Sequence, residues 1–310
     1  MFKRFQRLLT GMEITADSVK LVRVLREKRG WRLVSCISVP FPEETLKLSY
    51  KTQNVNDPQA FTQVIREAIR RAEIKGSRVG LSIPSEIVKV TIQKYTEVPK
   101  RVEETERMIA WWSRKSLPFP VDGARISFHQ LGVTPQGEAK LLVAVGFRDI
   151  IREYEMDLRE VKIHPEVIRP SCVNQFNFYQ ERIPPAGTLA FLGLLENFFT
   201  FFVFKNGELI FYHGVRRGFA DIHFFQDVEM TMELFSNENP DERIERIYFA
   251  SQAGFEKELR EGLESLGDME VVRIKAEDMI TTSELQGSGG KPIQVPYFAS
   301  AIGAAQSLVE

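Results

Sequence analysis

The chain runs twice through one succession of elements, and that repetition restricts its fold more than any single motif. Residues 11–39 alternate apolar and polar side chains in three blocks, Gly11–Thr15, Ser18–Arg26 and Gly30–Val39, parted by short turns. Period-two alternation of this kind predicts an antiparallel meander. A helix follows: Asp57 can cap it, Pro58 suits its first turn, and Phe61, Val64, Ile65, Ala68, Ile69 and Ala72 recur at helical spacing before Gly76. "RVGLSIP" at 78–84 then reads as a strand. Past "ERIPPAG", a hinge by its prolines and glycine, the pattern restarts. "TLAFLGLLE" and "NFFTFFVFKNGELIFYHGV" read as three strands with "KNG" as a hairpin turn, and a helix spans about 219–236. "RIYFAS" is a strand, "GFEKELREGLESLG" a helix, "MEVVRI" a strand and "YFASAIGAAQSLV" a small-residue helix. The duplication is of topology, not of sequence.

Between the two runs lies additional material. "EIVKVTIQKY" (86–95) alternates as a strand. "PKRVEETERMIAWWSRKSLPFP" is a helix with Glu103, Glu104 and Glu106 early and Arg114 and Lys115 late, as the helix dipole favours. Two strands, "ARISFHQLGV" and "AKLLVAVGF", flank the turn "TPQGE"; a helix at 148–160, a strand at 165–168 and a helix at 171–182 complete this part. Trp111 and Trp112 are neighbours on a helix and point about 100° apart, so one is expected inward and the other outward as a partner anchor.

Composition removes several function classes. Lys plus Arg number 41 against 42 Asp plus Glu, so nothing argues for nucleic acid. Cys36 and Cys172 are the only cysteines and read as reduced thiols; the four histidines have no metal-binding spacing. The longest apolar run, 189–204, is interrupted by Glu196–Asn197 and falls short of the ~20 residues that span a bilayer, so it reads as two buried strands. "MFKRFQRLLTG" lacks the apolar core of a secretory signal; it gathers Phe2, Phe5, Leu8 and Leu9 near one helical face and reads as a short basic leader. "LQGSGGKPIQVP" is not a Walker loop and reads as a surface loop. No Ser–His–Asp set or catalytic carboxylate pair emerges.

Meander, helix and strand in this order match the first part of a ribonuclease-H-like unit, and two such halves around a cleft make the actin-like fold. "GMEITADSVKLVRV", "VGLSIPSEIVKVTIQ", the helix ending in "SLPFPVD", "LLVAVGFRDIIREY" and "FKNGELIFYHGVRRG" stand in the order seen in the PilM family. The chain resembles that family of actin-like type IV pilus assembly proteins over nearly its whole length; MshI and the cytoplasmic part of GspL are near relatives. The resemblance implies an α/β, actin-like ATPase fold of two ribonuclease-H-like halves with an insert subdomain of the kind found in FtsA and PilM. The first half would take residues 1–84 and 134–183, the insert 85–133 and the second half 184–310. It also implies a cytoplasmic scaffold, peripheral to the inner membrane. Its partner would be the cytosolic N-terminal segment of a bitopic PilN-type protein, held in a groove between first half and insert. Ile83, Val88, Val90, Trp111 and Trp112 are the candidate contacts. The pilus assembly ATPase and a second copy of the chain are further candidate partners.

Actin-like proteins hold ATP between two hairpin turns. The first loop of PilM relatives resembles "GIDIGSSSVK"; here Glu13 stands for the aspartate and Thr15 for the loop glycine, while Ser18 and Lys20 are kept. The second resembles "DIGAxxTTL"; here Gly193 falls at the acid and Leu195 at the glycine. A shifted register makes Gly193 the loop glycine but puts Phe191 at the acid. The adenosine-side turn keeps one glycine, Gly254. These residues are expected to form a vestigial nucleotide site, without metal, cofactor or turnover. The alternative is a Mg-ATP-binding switch whose nucleotide state controls partner binding; a small-molecule kinase ranks last.

Overall fold

The computed structural model describes residues 7–28, 30–134, 136–251, 255–282 and 293–309. The first meander forms as β1 (Leu8–Ile14), β2 (Ser18–Glu27) and β3 (Gly30–Pro40). Then come α1 (Pro58–Arg71), β4 (Arg78–Ile83), β5 (Val88–Tyr95), α2 (Val102–Ser113), β6 (Ala124–Val133) and β7 (Ala139–Phe147). α3 (Arg148–Glu160), β8 (His164–Pro170) and α4 (Ser171–Tyr179) close the first run. The second gives β9 (Thr188–Leu194), β10 (Phe199–Lys205), β11 (Glu208–Val215), α5 (Phe224–Glu238), β12 (Arg246–Phe249) and α6 (Glu256–Glu264). β13 (Glu270–Arg273), β14 (Ile280–Thr281) and α7 (Ala299–Gln306) follow. No helix among the described residues is long and apolar enough to cross a membrane.

The topological duplication is present in the sheets. β3-β2-β1-β4-β8 and β11-β10-β9-β12-β13 are the same arrangement: an antiparallel meander extended by two parallel strands beside its first strand. Asp57 caps α1 by accepting from the Ala60 backbone N–H at 2.9 Å, one of the donors a helix start leaves unpaired. Phe61, Ile65 and Ala68 of that helix face Met12, Ile14, Leu21 and Leu81 in the first-half core. The aromatic run after Glu196 is β10, with Phe199 and Phe201 in the second-half core and Phe202 and Phe204 in the core shared by both halves.

Two expected boundaries move. The insert sheet has the order β5-β7-β6, so it extends to Phe147 rather than stopping at 133. β5 and β6 each pair with β7. The central strand supplies Leu141, Val143 and Val145, which α2 covers with Ile109. The sheet's other face turns Ile92 and Leu142 toward the core shared by the halves, and Lys140 forms an ion pair with Glu208 at the start of β11. The second half likewise does not hold all of 184–310. β14 pairs with β3 of the first sheet, and α7 packs on β1, β4 and α4. Glycine makes that seat possible. A Cβ on Gly11 would stand 1.9 Å from the Ala301 carbonyl oxygen, and one on Gly80 would stand 1.8 Å from that of Ala304. Smaller differences are local. Leu8 and Leu9 belong to β1, paired with Leu25 and Val24, rather than to a leader helix. α5 starts at Phe224 rather than near 219, because Phe219 packs across Phe224, Phe225 and Phe255 ahead of the helix.

Candidate functional site

The β1–β2 and β9–β10 turns line one small cavity between the halves. Its volume is about 40 Å³, and Glu13, Thr15, Lys20, Ser85, Glu86, Gln175, Leu195, Glu196, Tyr297 and Ser300 are among its walls. The first turn is closed by its own side chains. Thr15 Oγ1 accepts the backbone N–H groups of Ser18 at 3.0 Å and Asp17 at 3.3 Å, and lies 3.2 Å from Ser18 Oγ. A hydroxyl at this position satisfies turn donors that a glycine would leave pointing outward. In the second turn the Leu195 N–H donates to the Phe198 carbonyl at 2.8 Å.

Lys20 sits at the centre. Glu13 and Lys20 are cross-strand partners in the β1–β2 ladder, so their side chains share one face of the sheet. Lys20 Nζ lies 3.5 Å from Glu13 Oε2 and 3.4 Å from Glu196 Oε1, the latter on the opposite half. The ammonium also stands 3.9 Å from the centroid of the Tyr297 ring, whose hydroxyl is 3.1 Å from Ser38 Oγ. The Glu13 and Lys20 side chains are 3% and 5% exposed, so the pair is desolvated and its charges need each other. Burial pushes the Glu13 carboxyl above its ordinary range, against the pull of Lys20 and of a hydrogen bond with Ser300. For Lys20 burial works against the charge, but Glu13 and Glu196 together with the Tyr297 ring outweigh it and hold the ammonium above the ordinary lysine value.

A third carboxylate, Glu86, faces the same cavity from the segment between β4 and β5. Burial raises it; Arg216 draws it down, and Glu196 and Glu13 raise it further. A carboxyl whose folded value is raised costs nothing below its unfolded value near 4.5 and its full penalty above the folded one. Glu86→Gln is therefore expected to raise the thermal midpoint at neutral pH. The gain should shrink toward zero as the pH falls to about 4.5, measured by thermal denaturation across pH.

The structure joins part of the expected nucleotide set and separates the rest. Glu13, Thr15, Lys20 and Leu195 meet at the cavity. Ser18 is buried and spent on its own turn. Gly193 lies inside β9 opposite Thr200, where a Cβ would meet Gln175 Oε1 at 2.6 Å and Thr200 Oγ1 at 2.7 Å, so close packing explains it. Gly254 lies outside the described residues. Glu86, Glu196, Tyr297 and Ser300 were not anticipated; the one visible signal was Glu196 breaking an apolar run.

The expected partner contacts do not form one groove. Ile83 is 2% exposed in the first-half core, and Val88 packs against that core. Val90 shares Val88's face of β5, while α2 covers the opposite face, where Gln93 reaches Ser113. Thr105, Ile109 and Ser113 are the buried stripe of α2. That leaves both Trp111 and Trp112 on its outer side, 61% and 68% exposed, rather than one packed inward.

A family model described as type IV pilus assembly protein PilM matches residues 11–220. A search of curated proteins finds no match. Among solved structures, a PilM–PilN type IV pilus biogenesis complex superposes with a TM-score of 0.80 at 17% identity, covering 97% of this chain and 98% of the other. The cytoplasmic domain of EpsL, an inner membrane component of the type II secretion system of Vibrio cholerae, gives 0.53 at 9% identity, covering 98% and 96%. A Bacteroides thetaiotaomicron protein with an actin-like ATPase fold and unknown function gives 0.53 at 8% identity, covering 97% and 99%. The likeness to these structures is one of fold, whereas the family model spans more than half of the sequence, including both cavity turns: the chain has the actin-like fold and belongs to the PilM family of type IV pilus assembly proteins.

Proposed function

We propose that this protein is a catalytically silent scaffold of a type IV pilus or related secretion complex, peripheral to the inner membrane, which holds a cytosolic segment of a PilN-type partner. The Lys20–Glu196 contact carries the reading: the cation expected to meet a phosphate is spent on a carboxylate of the facing half. Three further features support it. The cavity of about 40 Å³ has room for a few waters, whereas small-molecule sites run to several hundred. Three carboxylates, Glu13, Glu86 and Glu196, line it against one ammonium, a poor setting for a triphosphate. Leu195 adds an apolar branch where a hydrated anion would have to sit.

For the partner, the joint between first half and insert remains the candidate groove, read from other residues. Phe147 packs against the cores of both, stacks on Phe119 at 4.6 Å, and lies near Tyr50, whose hydroxyl donates to the Val145 carbonyl at 2.9 Å. Preformed aromatic walls let an extended peptide bind with little reorganisation. Isothermal titration tests both parts. Mg-ATP is expected to give no micromolar isotherm. A synthetic N-terminal segment of the PilN-type protein is expected to bind, about tenfold more weakly to Tyr50→Ala. A clear ATP isotherm that also changes peptide affinity would replace the scaffold by a nucleotide switch.

A further inference from the structure

The exposed end of α2 gathers cations and indoles on one short stretch. Residues 107–120, "RMIAWWSRKSLPFP", contain three cations and no carboxylate, the nearest in sequence being Glu106 and Asp122. Arg107, Arg114 and Lys115 are exposed, and among the described residues none of them forms an ion pair. Trp111 and Trp112 stand among them with 61% and 68% of their surface open. The Arg114 guanidinium lies 3.6 Å from the centre of the Trp111 ring while its Nη1 donates to the Trp111 carbonyl at 2.8 Å. This stacking fixes a charge on an aromatic face. The core does not need either indole: α2 is anchored by Thr105, Ile109 and Ser113.

We infer that this tip is a lipid contact, which seats its two indoles in the headgroup layer of an anionic membrane. The charge favours an anionic lipid surface: two outward indoles stand among three cations with no carboxylate over residues 107–120. The chemistry agrees. Tryptophan prefers the boundary between apolar chains and water, and each nearby Lys or Arg adds about fivefold to partitioning on anionic lipid. A patch of two rings and three charges gives reversible attachment of the kind that supplements another anchor. The inference does not depend on the peptide-binding reading, since it uses the exposed Trp111 and Trp112, whereas that reading uses the buried Phe119 with the partly buried Phe147 and Tyr50.

Vesicle co-sedimentation of the full chain tests it, with tryptophan emission as a second readout. Trp111 and Trp112 are two of only three tryptophans, so a Trp31→Phe background reports the tip alone. Vesicles of mixed phosphatidylglycerol and phosphatidylcholine should pellet the protein and shift its emission to the blue; pure phosphatidylcholine should do neither. W111A/W112A should lower partitioning at least tenfold, and R107Q/R114Q/K115Q about a hundredfold at low salt. Both variants should keep the parent's thermal midpoint and its affinity for the PilN-type peptide. Equal pelleting on the two lipids, or undiminished pelleting of W111A/W112A, overturns the proposal. So does loss of peptide binding or of self-association in the tip variants without loss of lipid binding, which would make the tip a protein contact.

Discussion

Gly80→Ala is expected to lose at least about 3 kcal/mol of stability, a fall of about 5 °C in the thermal midpoint. The new Cβ would stand 1.8 Å from the Ala304 carbonyl oxygen, about half a normal contact distance. No side-chain rotation relieves a clash between two backbones; α7 must lift from the sheet, opening the packing around Ala301 and Ala305. Ala304→Gly cannot rescue the variant, because the obstacle is the carbonyl and not the methyl. Gly76→Ala is the control: a Cβ there meets nothing within 4 Å, and its midpoint should stay within about 0.5 kcal/mol of the parent. Chemical denaturation followed by circular dichroism compares the two. Equal midpoints for Gly80→Ala and the parent would mean that α7 does not rest on β4 as described.

Lys20→Met is the second large effect. It leaves Glu13 buried without its cation, at a cost of about 3–5 kcal/mol, the usual result of removing one partner of a desolvated pair. Replacing both charges, Lys20→Met with Glu13→Gln, should recover more than half, since neither group is then stranded. Lys20 is held above its ordinary value, so its contribution is complete below about pH 10 and fades only as the pH climbs through the raised folded value. The two readings of the cleft predict opposite patterns. A structural Lys20 costs stability and changes no ATP response. A phosphate-binding Lys20 would leave the midpoint in place and abolish an isotherm that the parent displays.

Local elements were legible in the sequence because period and punctuation were clean. The Asp57 cap, the "KNG" turn and the alternation through β1–β3 each fix a conformation from neighbours in sequence. Destinations were not legible. Nothing in "AKLLVAVGF" says that it lies between β5 and β6, because alternation reports which faces are apolar and not which strand sits alongside. Nothing in "ASAIGAAQ" says that its small residues fit against Gly11 and Gly80 of the other half. The cleft shows the same limit. Ser18 and Lys20 kept the appearance of phosphate ligands, yet Ser18 is spent on the Thr15 turn and Lys20 on a carboxylate far along the chain. The tryptophans misled for a different reason: two large apolar side chains in a row suggest one buried, but the helix had already chosen smaller residues for its inner stripe.

The seat of α7 also bears on when this protein can fold as it leaves the ribosome. β1 and β4 are made early, but the helix that covers them is translated about 290 residues after Gly11. Until then the strip of the first sheet around Gly11 and Gly80 lacks the helix that rests on it. Contacts this distant in sequence are the slow ones. The first half therefore cannot complete its packing until residues 299–306 emerge. A chain ended before that point would carry both meanders but a first half without its covering helix.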